Sequence, residues 1–320
     1  MFREREPQII DESSLKFVSV LGRGGYGSVT LMRDSNLRLF AEKSSSFDDL
    51  RSLEKEHRIM KRFRGHPRIV QTRSPNLHIA TNPERCYIYM EFASKGTLHN
   101  MISEFRERGR PMPEHTIGHV ALMILQGLQA LHSHGYVHCD LKPANVLVFP
   151  SKAVGEPWDL KLADFGMSKE PCTDSKYLLA GTKPYMPPET LGPNKVIGSA
   201  VDVWSLGCVV LEMFGGCPKK MGHCYTWRLP KLVSPMADDF LRRCLALLPS
   251  RRATVEELLK HPFVLQKVIG VTPRRESMPL CPSFLRFLSD VRNNGMEECS
   301  RRQRGGPAMK MMPRPQDLIY

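Results

Sequence analysis

The chain has 320 residues, 46 Lys plus Arg against 33 Asp plus Glu, and a formal net charge of +13. Its 41% hydrophobic and 25% charged residues are a globular composition, which excludes a wholly disordered chain, a collagen and a disulfide-stapled miniprotein. At roughly 150 residues per domain the length allows one large or two ordinary domains, each with a sizeable core.

Residues 1–14 are charged where the apolar stretch of a signal peptide would sit, and read as an N-terminal extension. Leu15, Phe17, Val18 and Val20 lead into Gly22-Arg23-Gly24-Gly25-Tyr26-Gly27. Val29, Leu31, Leu37, Leu39 and Phe40 follow, broken by a polar turn at Asp34-Ser35-Asn36. This pattern predicts strands around a glycine turn over 15–43. Leu50, Leu53, His57, Met60 and Phe63 recur at spacings of three and four, which predicts a helix over 48–63. Residues 69–92 supply further strand-like runs, with a hinge expected near 92–97.

The character then changes. Ile117, Val120, Ala121, Ile124, Leu125, Leu128 and Leu131 mark a long apolar helix over 113–134, followed by short strands at 146–148 and 160–163. From there to about Phe263 the chain reads as mostly helical. A strand-rich front before a helix-rich back predicts two lobes around a cleft. Residues 200–214 are the most apolar later run, but Asp202 and Glu212 interrupt it and it is shorter than the ~20 residues of a membrane span, so a buried helix is expected and no membrane span. Residues 264–320 carry ten Lys or Arg against five Asp or Glu and read as a basic, weakly ordered tail, with a short amphipathic stretch at 283–291. An Arg301-Arg302-Gln303-Arg304 cluster in it has the character of a nuclear localisation signal.

Nine cysteines, an odd number with no Cys-x-x-Cys, point to reduced thiols in an intracellular compartment, cytoplasm or nucleus. Cys217, His223 and Cys224 lack a second ligand pair at zinc-finger spacing, so ordinary thiols are the better reading.

Three elements carry chemistry. Glycines 22, 24, 25 and 27 let backbone N–H groups approach a phosphate, but a dinucleotide fold would start a helix here, whereas Ser28 to Met32 reads as a strand. On the next strand Ala41 and Lys43 share a face and Glu42 points the other way. Lys43 could face a phosphate, and Glu56, thirteen residues on in the helical segment, could pair with it. Either alone would be an ordinary solvated charge. The most specific run is His138-Cys139-Asp140-Leu141-Lys142-Pro143-Ala144-Asn145, with Asp164-Phe165-Gly166 nineteen residues beyond Asn145. Phosphoryl transfer needs a carboxylate to orient a hydroxyl, oxygen ligands for Mg²⁺ and cations for the moving phosphate. Asp140, then Asn145 with Asp164, then Lys142 with Lys43 are those types in turn.

With these motifs the chain resembles the eukaryotic protein kinase family over about residues 15–263. The resemblance implies an α+β bilobal protein-kinase fold: a small β-rich N-lobe with one main helix over about 15–92, and a larger helical C-lobe over about 93–263. It implies that ATP is bound by Leu21, Gly22, Gly24, Gly27, Val29, Ala41, Lys43, Glu56 and Leu147, with Met90 as gatekeeper and Glu91 to Ala93 as the hinge. Asp140 and Lys142 would be catalytic, and Asn145 and Asp164 the Mg²⁺ ligands. Phe165, Gly166, Thr173, Ser175, Thr182 and Glu189 would belong to the activation segment, with Arg252 pairing Glu189. Lys142 two residues after Asp140, together with Thr182, resembles the Ser/Thr pattern. The stretches HCDLKPANVL, KLADFGMSKEP, GTKPYMPPE, YTWRLPKLVSP and PSRRATVEELLKHPF resemble plant MEKK-like MAP kinase kinase kinases, which implies a MAP kinase kinase as protein substrate.

The sequence departs from the family at four places. Cys139 stands where an arginine usually contacts a phosphorylated activation loop, and a thiol makes no bidentate phosphate contact. Activation independent of that phosphate is therefore expected, and a redox role for Cys139 is the lesser alternative. Glu42 replaces an apolar residue beside Lys43, and Pro187 an alanine. The short spacing from Gly216 to Ser234 leaves room for only a reduced helix. Two other classes compete: a pseudokinase scaffold, for which Glu42 and Cys139 are the only grounds, and a nucleic-acid binder, which the dispersed basic residues and the lack of any aromatic RNA motif or recognition helix disfavour.

Overall fold

The computed structural model describes residues 14–25, 27–151, 157–173, 181–191, 195, 197–221, 224–228 and 233–266. All of them fall within the first of two compact units of the chain, Met1–Cys281.

Strands β1 (Lys16–Gly24), β2 (Gly27–Arg33), β3 (Leu39–Ser45), β4 (His78–Thr81) and β5 (Glu84–Glu91) form one antiparallel sheet in the order β1-β2-β3-β5-β4. In the register of β2, β3 and β5, Leu31, Ala41 and Met90 stand in one row and Val29, Lys43 and Ile88 in the next. Alternation puts both rows on one face. Helix α1 (Leu50–Arg62) packs its Leu53, Glu56, Ile59 and Met60 side inward. Phe40 and Tyr89 gather a separate apolar cluster with Leu15, Met32 and Tyr87.

The hinge runs from the end of β5 to helix α2 (Leu98–Glu107). Thr97 caps α2 in a reciprocal box with Asn100, each side chain bonding the other's backbone N–H. Helix α3 (Glu114–His132) buries the whole apolar stripe from Ile117 to Leu131, each large aliphatic side chain contributing about 1.5–3 kcal/mol on leaving water. Strands β6 (Val146–Phe149) and β7 (Asp159–Leu162) form a small antiparallel pair. Helix α4 (Ala200–Met213) is buried almost all round, including Asp202 and Glu212. Helices α5 (Pro235–Cys244) and α6 (Val255–Leu258) close the bundle. A β-sheet with one packed helix, followed by a helical lobe, is the two-lobed α+β architecture expected. Among the described residues no helix is long and apolar enough to cross a membrane.

Two local expectations change. Residues 69–77 do not form a strand of the large sheet. Their apolar start is spent elsewhere: Val70 donates to the Leu162 carbonyl and Leu162 to the Arg68 carbonyl, each at 2.9 Å, so residues 68–70 edge β7, while Thr72 makes only a single bridge to Met90 of β5. Directly after Phe214, and before α5, the described residues are not helical. Gly215, at φ 87°, ends α4, and β8 (Cys217–Met221) pairs with β9 (Cys224–Arg228) as a hairpin. Pro218 removes a helical donor, and Tyr225, Thr226 and Trp227 are strand-favouring types.

Candidate active site

The nucleotide side of the site is built on the sheet. β1 and β2 meet as a hairpin with Gly24 opposite Gly27. The motif glycines differ in what requires them. Gly27 has φ 133° and a Cβ there would collide with the Ser44 carbonyl of β3, so packing demands it. A Cβ on Gly22 or Gly24 would meet nothing within 4 Å. Leu21, Val29 and Leu147 are half-buried against the core, while Ala41 and Met90 are buried as cross-strand partners. Ala93 is buried, and its carbonyl accepts from the Gly96 N–H at 3.0 Å, closing the hinge turn. The Glu91 carboxylate accepts from Lys161 Nζ at 2.6 Å and from the Gln71 N–H at 2.9 Å, which fixes the hinge from the side.

Lys43 Nζ donates to Glu56 Oε2 at 2.5 Å and to Asp164 Oδ1 at 2.9 Å, joining strand, helix and the start of the activation segment. Burial pulls the Lys43 ammonium down, but the two carboxylates outweigh it and hold it above the ordinary lysine range. Burial likewise opposes ionisation of Asp164, and Lys43 overrides it to keep that carboxyl below its usual value. Lys43 is thus charged and Asp164 ionised across the working pH range.

The hydroxyl-orienting side is built on the loop after α3. Asp140 is buried, and among the described residues its carboxylate is met by donors: Lys142 Nζ on Oδ2 at 2.7 Å, Asn145 Nδ2 on Oδ2 at 3.0 Å, and Thr182 Oγ1 on Oδ1 at 2.7 Å. Lys142 also donates to Thr182 Oγ1 at 2.8 Å. Gly181, at φ 59°, lets the chain pass so close to the Cys139 carbonyl that a Cβ would strike it, and so brings Thr182 to Asp140. The Asn145 Nδ2 donates to the Asp140 carbonyl at 2.8 Å and to its carboxylate at 3.0 Å, so the amide oxygen is not the atom spent on Asp140. Among the described residues no three His, Cys, Asp or Glu side chains form a metal site by themselves, and His223 lies outside those residues. Asn145 and ionised Asp164 are two hard oxygen donors, which suits Mg²⁺ completed by phosphate oxygens.

Phe165 is fully buried beside His138, with ring centroids 5.3 Å apart. Gly166 passes close over Ser52 of α1. Thr173 is half-buried, its N–H turned back on the Glu170 carbonyl at 3.3 Å; Ser175 lies outside the described residues. Glu189 accepts Arg252 Nη1 at 2.6 Å and Nη2 at 3.2 Å. Pro187 is extended (φ −77°, ψ 160°) just ahead of a short 3-10 turn, a position proline tolerates.

Sequence reasoning passed over the supports of this site. Asp202 of α4 is fully buried, and accepts from the N–H of His138 at 2.8 Å and of Cys139 at 2.9 Å and bonds His132 Nε2 at 2.8 Å. His138 Nε2 faces the Ala163 carbonyl at 3.1 Å. A carbonyl only accepts, so Nε2 carries the proton and Nδ1 accepts from the Asp140 N–H at 3.3 Å. The signal for Asp202 was its carboxylate in the most apolar run of the chain. Cys139 sits in an apolar pocket with Val137, Ile197 and Val201, and burial, then the Asp202 charge, pushes its thiol up to about 12. That is the opposite of a reactive cysteine, so the redox alternative falls. Glu42 is buried on the face away from Lys43 and ion-pairs with Arg85. Neither departure touches the reacting positions, which removes the grounds for a scaffold.

A two-lobed fold that pairs a strand lysine with Glu56 and Asp164 and holds a second aspartate, Asp140, in a clasp of donors is that of a phosphoryl-transfer enzyme. The chain belongs to the protein kinase family: the family described as protein kinase domain matches residues 15–264. It is a serine/threonine kinase of the MEKK type. Over 246 residues it is 32% identical to mitogen-activated protein kinase kinase kinase 20 of Arabidopsis thaliana, covering 71% of this chain and 69% of that one. It is 31% identical to mitogen-activated protein kinase kinase kinase 5 of the same plant, over 96% of this chain and 43% of that protein. It is 33% identical to human mitogen-activated protein kinase kinase kinase 4, over 76% of this chain and 16% of that protein. The chain thus spans less than half the length of the latter two relatives.

Proposed function

We propose that the chain transfers the γ-phosphate of ATP, with Mg²⁺, to a Ser or Thr hydroxyl of a MAP kinase kinase. The observation that carries the reading is the Asp140 carboxylate, clasped by Lys142, Asn145 and Thr182 while Lys43 is joined to Glu56 and Asp164. ATP and Mg²⁺, when bound, supply the phosphoryl group and neutralise its charge. Leu21, Val29, Ala41, Leu147 and the hinge beside Met90 enclose the base, and Gly22, Gly24 and Gly27 approach the phosphates. Lys43 offsets phosphate charge, and Glu56 holds it in place. Asn145 and Asp164 hold the metal. Asp140 orients the substrate hydroxyl and accepts its proton late in the transfer, while Lys142 offsets negative charge and Thr182 braces both.

The residue wording and the Arabidopsis relatives support a plant enzyme that acts on MAP kinase kinases in the cytoplasm or nucleus. Residues 15–263 are the catalytic unit in this reading, 1–14 an extension, and 264–320 a basic tail of which residues 267–320 lie outside the described residues. The test is transfer of labelled phosphate from ATP by the purified chain to an inactive MAP kinase kinase and to a generic Ser/Thr substrate, with Asp140→Asn as control. Transfer to the MAP kinase kinase that vanishes in the control is the expected result. Transfer only to the generic substrate removes the cascade assignment, and no transfer by folded, ATP-binding protein removes the enzyme reading.

A further inference from the structure

Helix α1 carries two charges with opposite directions. Glu56 turns inward to Lys43. Arg58, two residues on and so roughly on the other side of the helix, turns outward. Its Nε and Nη2 donate to the two carboxylate oxygens of Glu170 at 3.1 and 3.0 Å, a fork-to-fork pair. The pair is part-exposed, with Arg58 53% and Glu170 27% accessible. Lys55, one residue from Glu56, is also within electrostatic range of Glu170.

Glu170 is itself well anchored. It follows Lys169, whose backbone bonds Val137 in both directions at 2.8 and 3.0 Å, three residues ahead of Asp140. Lys169 Nζ donates to the Ile197 carbonyl at 2.8 Å. Cys139, two residues after Val137, is a buried neutral thiol that offers nothing to an anion. The α1 cations are therefore met by a carboxylate that belongs to the chain and is tied to the catalytic loop.

We propose that Glu170 is a positioning residue: through Arg58 its carboxylate holds α1 against the base of the activation segment, keeps Glu56 on Lys43, and makes that alignment independent of any phosphate on the activation segment. The proposal rests on the kinase reading above. Its effect falls on the grip of Lys43 on nucleotide, not on the protein substrate.

The test uses the full chain after phosphatase treatment, in wild-type form and as Glu170→Gln, Arg58→Gln, Arg58→Lys and the charge swap Arg58→Glu with Glu170→Arg. For each, KM for ATP, KM for the protein substrate and the ATP-induced shift in thermal midpoint are measured. Dephosphorylated wild type keeps its activity. Each Gln variant loses about twofold to fivefold in kcat/KM for ATP, the range of a part-exposed ion pair, with KM for the protein substrate unchanged. Arg58→Lys falls between, because it keeps the charge without the fork. The swap recovers most of the loss.

A purely structural contact would lower the active fraction and leave KM for ATP alone. Wild-type KM for ATP in both Gln variants, a swap no better than either single change, or loss of activity on phosphatase treatment overturns the proposal. If wild type transfers no more phosphate than Asp140→Asn, the kinase reading fails separately. The ATP-induced thermal shift then decides: a smaller shift in Glu170→Gln that recovers in the swap supports the positioning role, and an unchanged shift overturns it.

Discussion

Asp202 and Cys139 lie 63 residues apart in the chain, yet the Asp202 carboxylate accepts the Cys139 N–H at 2.9 Å and holds that residue at φ 67°, a conformation costly for a side chain other than glycine. The loop that presents Asp140 is thus kept in a strained form by a charge from the centre of the helical lobe.

Removing that charge should therefore cost stability and geometry together. Asp202→Ala is expected to lose about 3–5 kcal/mol, the usual cost of breaking a buried charged network from one side. Chemical unfolding checks it. Burial pushes the Asp202 carboxyl up, but the His132 and His138 contacts outweigh it and hold the value below the ordinary range. A group depressed in the folded state stabilises the fold above its unfolded value and loses that contribution as pH falls through its folded value. The wild-type thermal midpoint should fall below about pH 4, and Asp202→Asn should show a shallower acid limb.

Gly27 and Gly24 should behave oppositely when changed to alanine. Gly27→Ala forces a Cβ into the Ser44 carbonyl at positive φ and should destabilise by about 1–3 kcal/mol. Gly24→Ala meets nothing and should leave stability within about 0.5 kcal/mol, its effect appearing in KM for ATP. Thermal unfolding beside ATP kinetics separates the two.

Native alkylation should distinguish two cysteines. Cys172 is exposed, whereas Cys139 is buried with its thiol pushed up to about 12. Brief treatment with iodoacetamide near pH 8, followed by peptide mass spectrometry, should label Cys172 and spare Cys139, and activity should survive mild peroxide. Rapid labelling of Cys139 in folded protein would contradict the buried, neutral state.

Glu42 is 3% exposed, and its Oε2 has no hydrogen-bond partner although Oε1 pairs with Arg85. An unsatisfied buried carboxylate oxygen carries an uncompensated desolvation cost. Glu42→Gln or Glu42→Val should be neutral or stabilising by about 1 kcal/mol in thermal unfolding, with kcat unchanged. A tenfold loss of kcat would show that the outer face of β3 communicates with Lys43.

The local words of the site were legible because their chemistry is carried by adjacent residues. Asp140, Lys142 and Asn145 share one loop, and period-two alternation alone separated Lys43 from Glu42. The helix over 48–63 and the long apolar helix announced themselves by spacing. What sequence did not disclose depends on distant partners. Asp202 reaches back across the chain to the catalytic loop, and Gly27 is demanded by a carbonyl on another strand. Val70 has the apolar character of a sheet residue but bonds β7 in the other lobe. Helix α2 begins with Thr97 and Asn100, a capping box without the usual Glu or Gln, and so lacked its ordinary start signal. The β8–β9 hairpin replaced an expected helix because two short strands can satisfy each other's backbone in twelve residues, where a helix needs a face to pack.

The two halves of the catalytic machinery are fastened differently. Among the described residues, Asp140, Lys142, Asn145 and Thr182 bond to one another and to the helical lobe, whereas Lys43 meets Asp164 across the cleft between lobes. Parting the lobes breaks the Lys43–Asp164 contact and leaves the Asp140 assembly whole. Nucleotide exchange by such a parting would leave the acceptor side ready, so a turnover would remake the contacts between the lobes, Lys43–Asp164 and Arg58–Glu170, and not the Asp140 assembly.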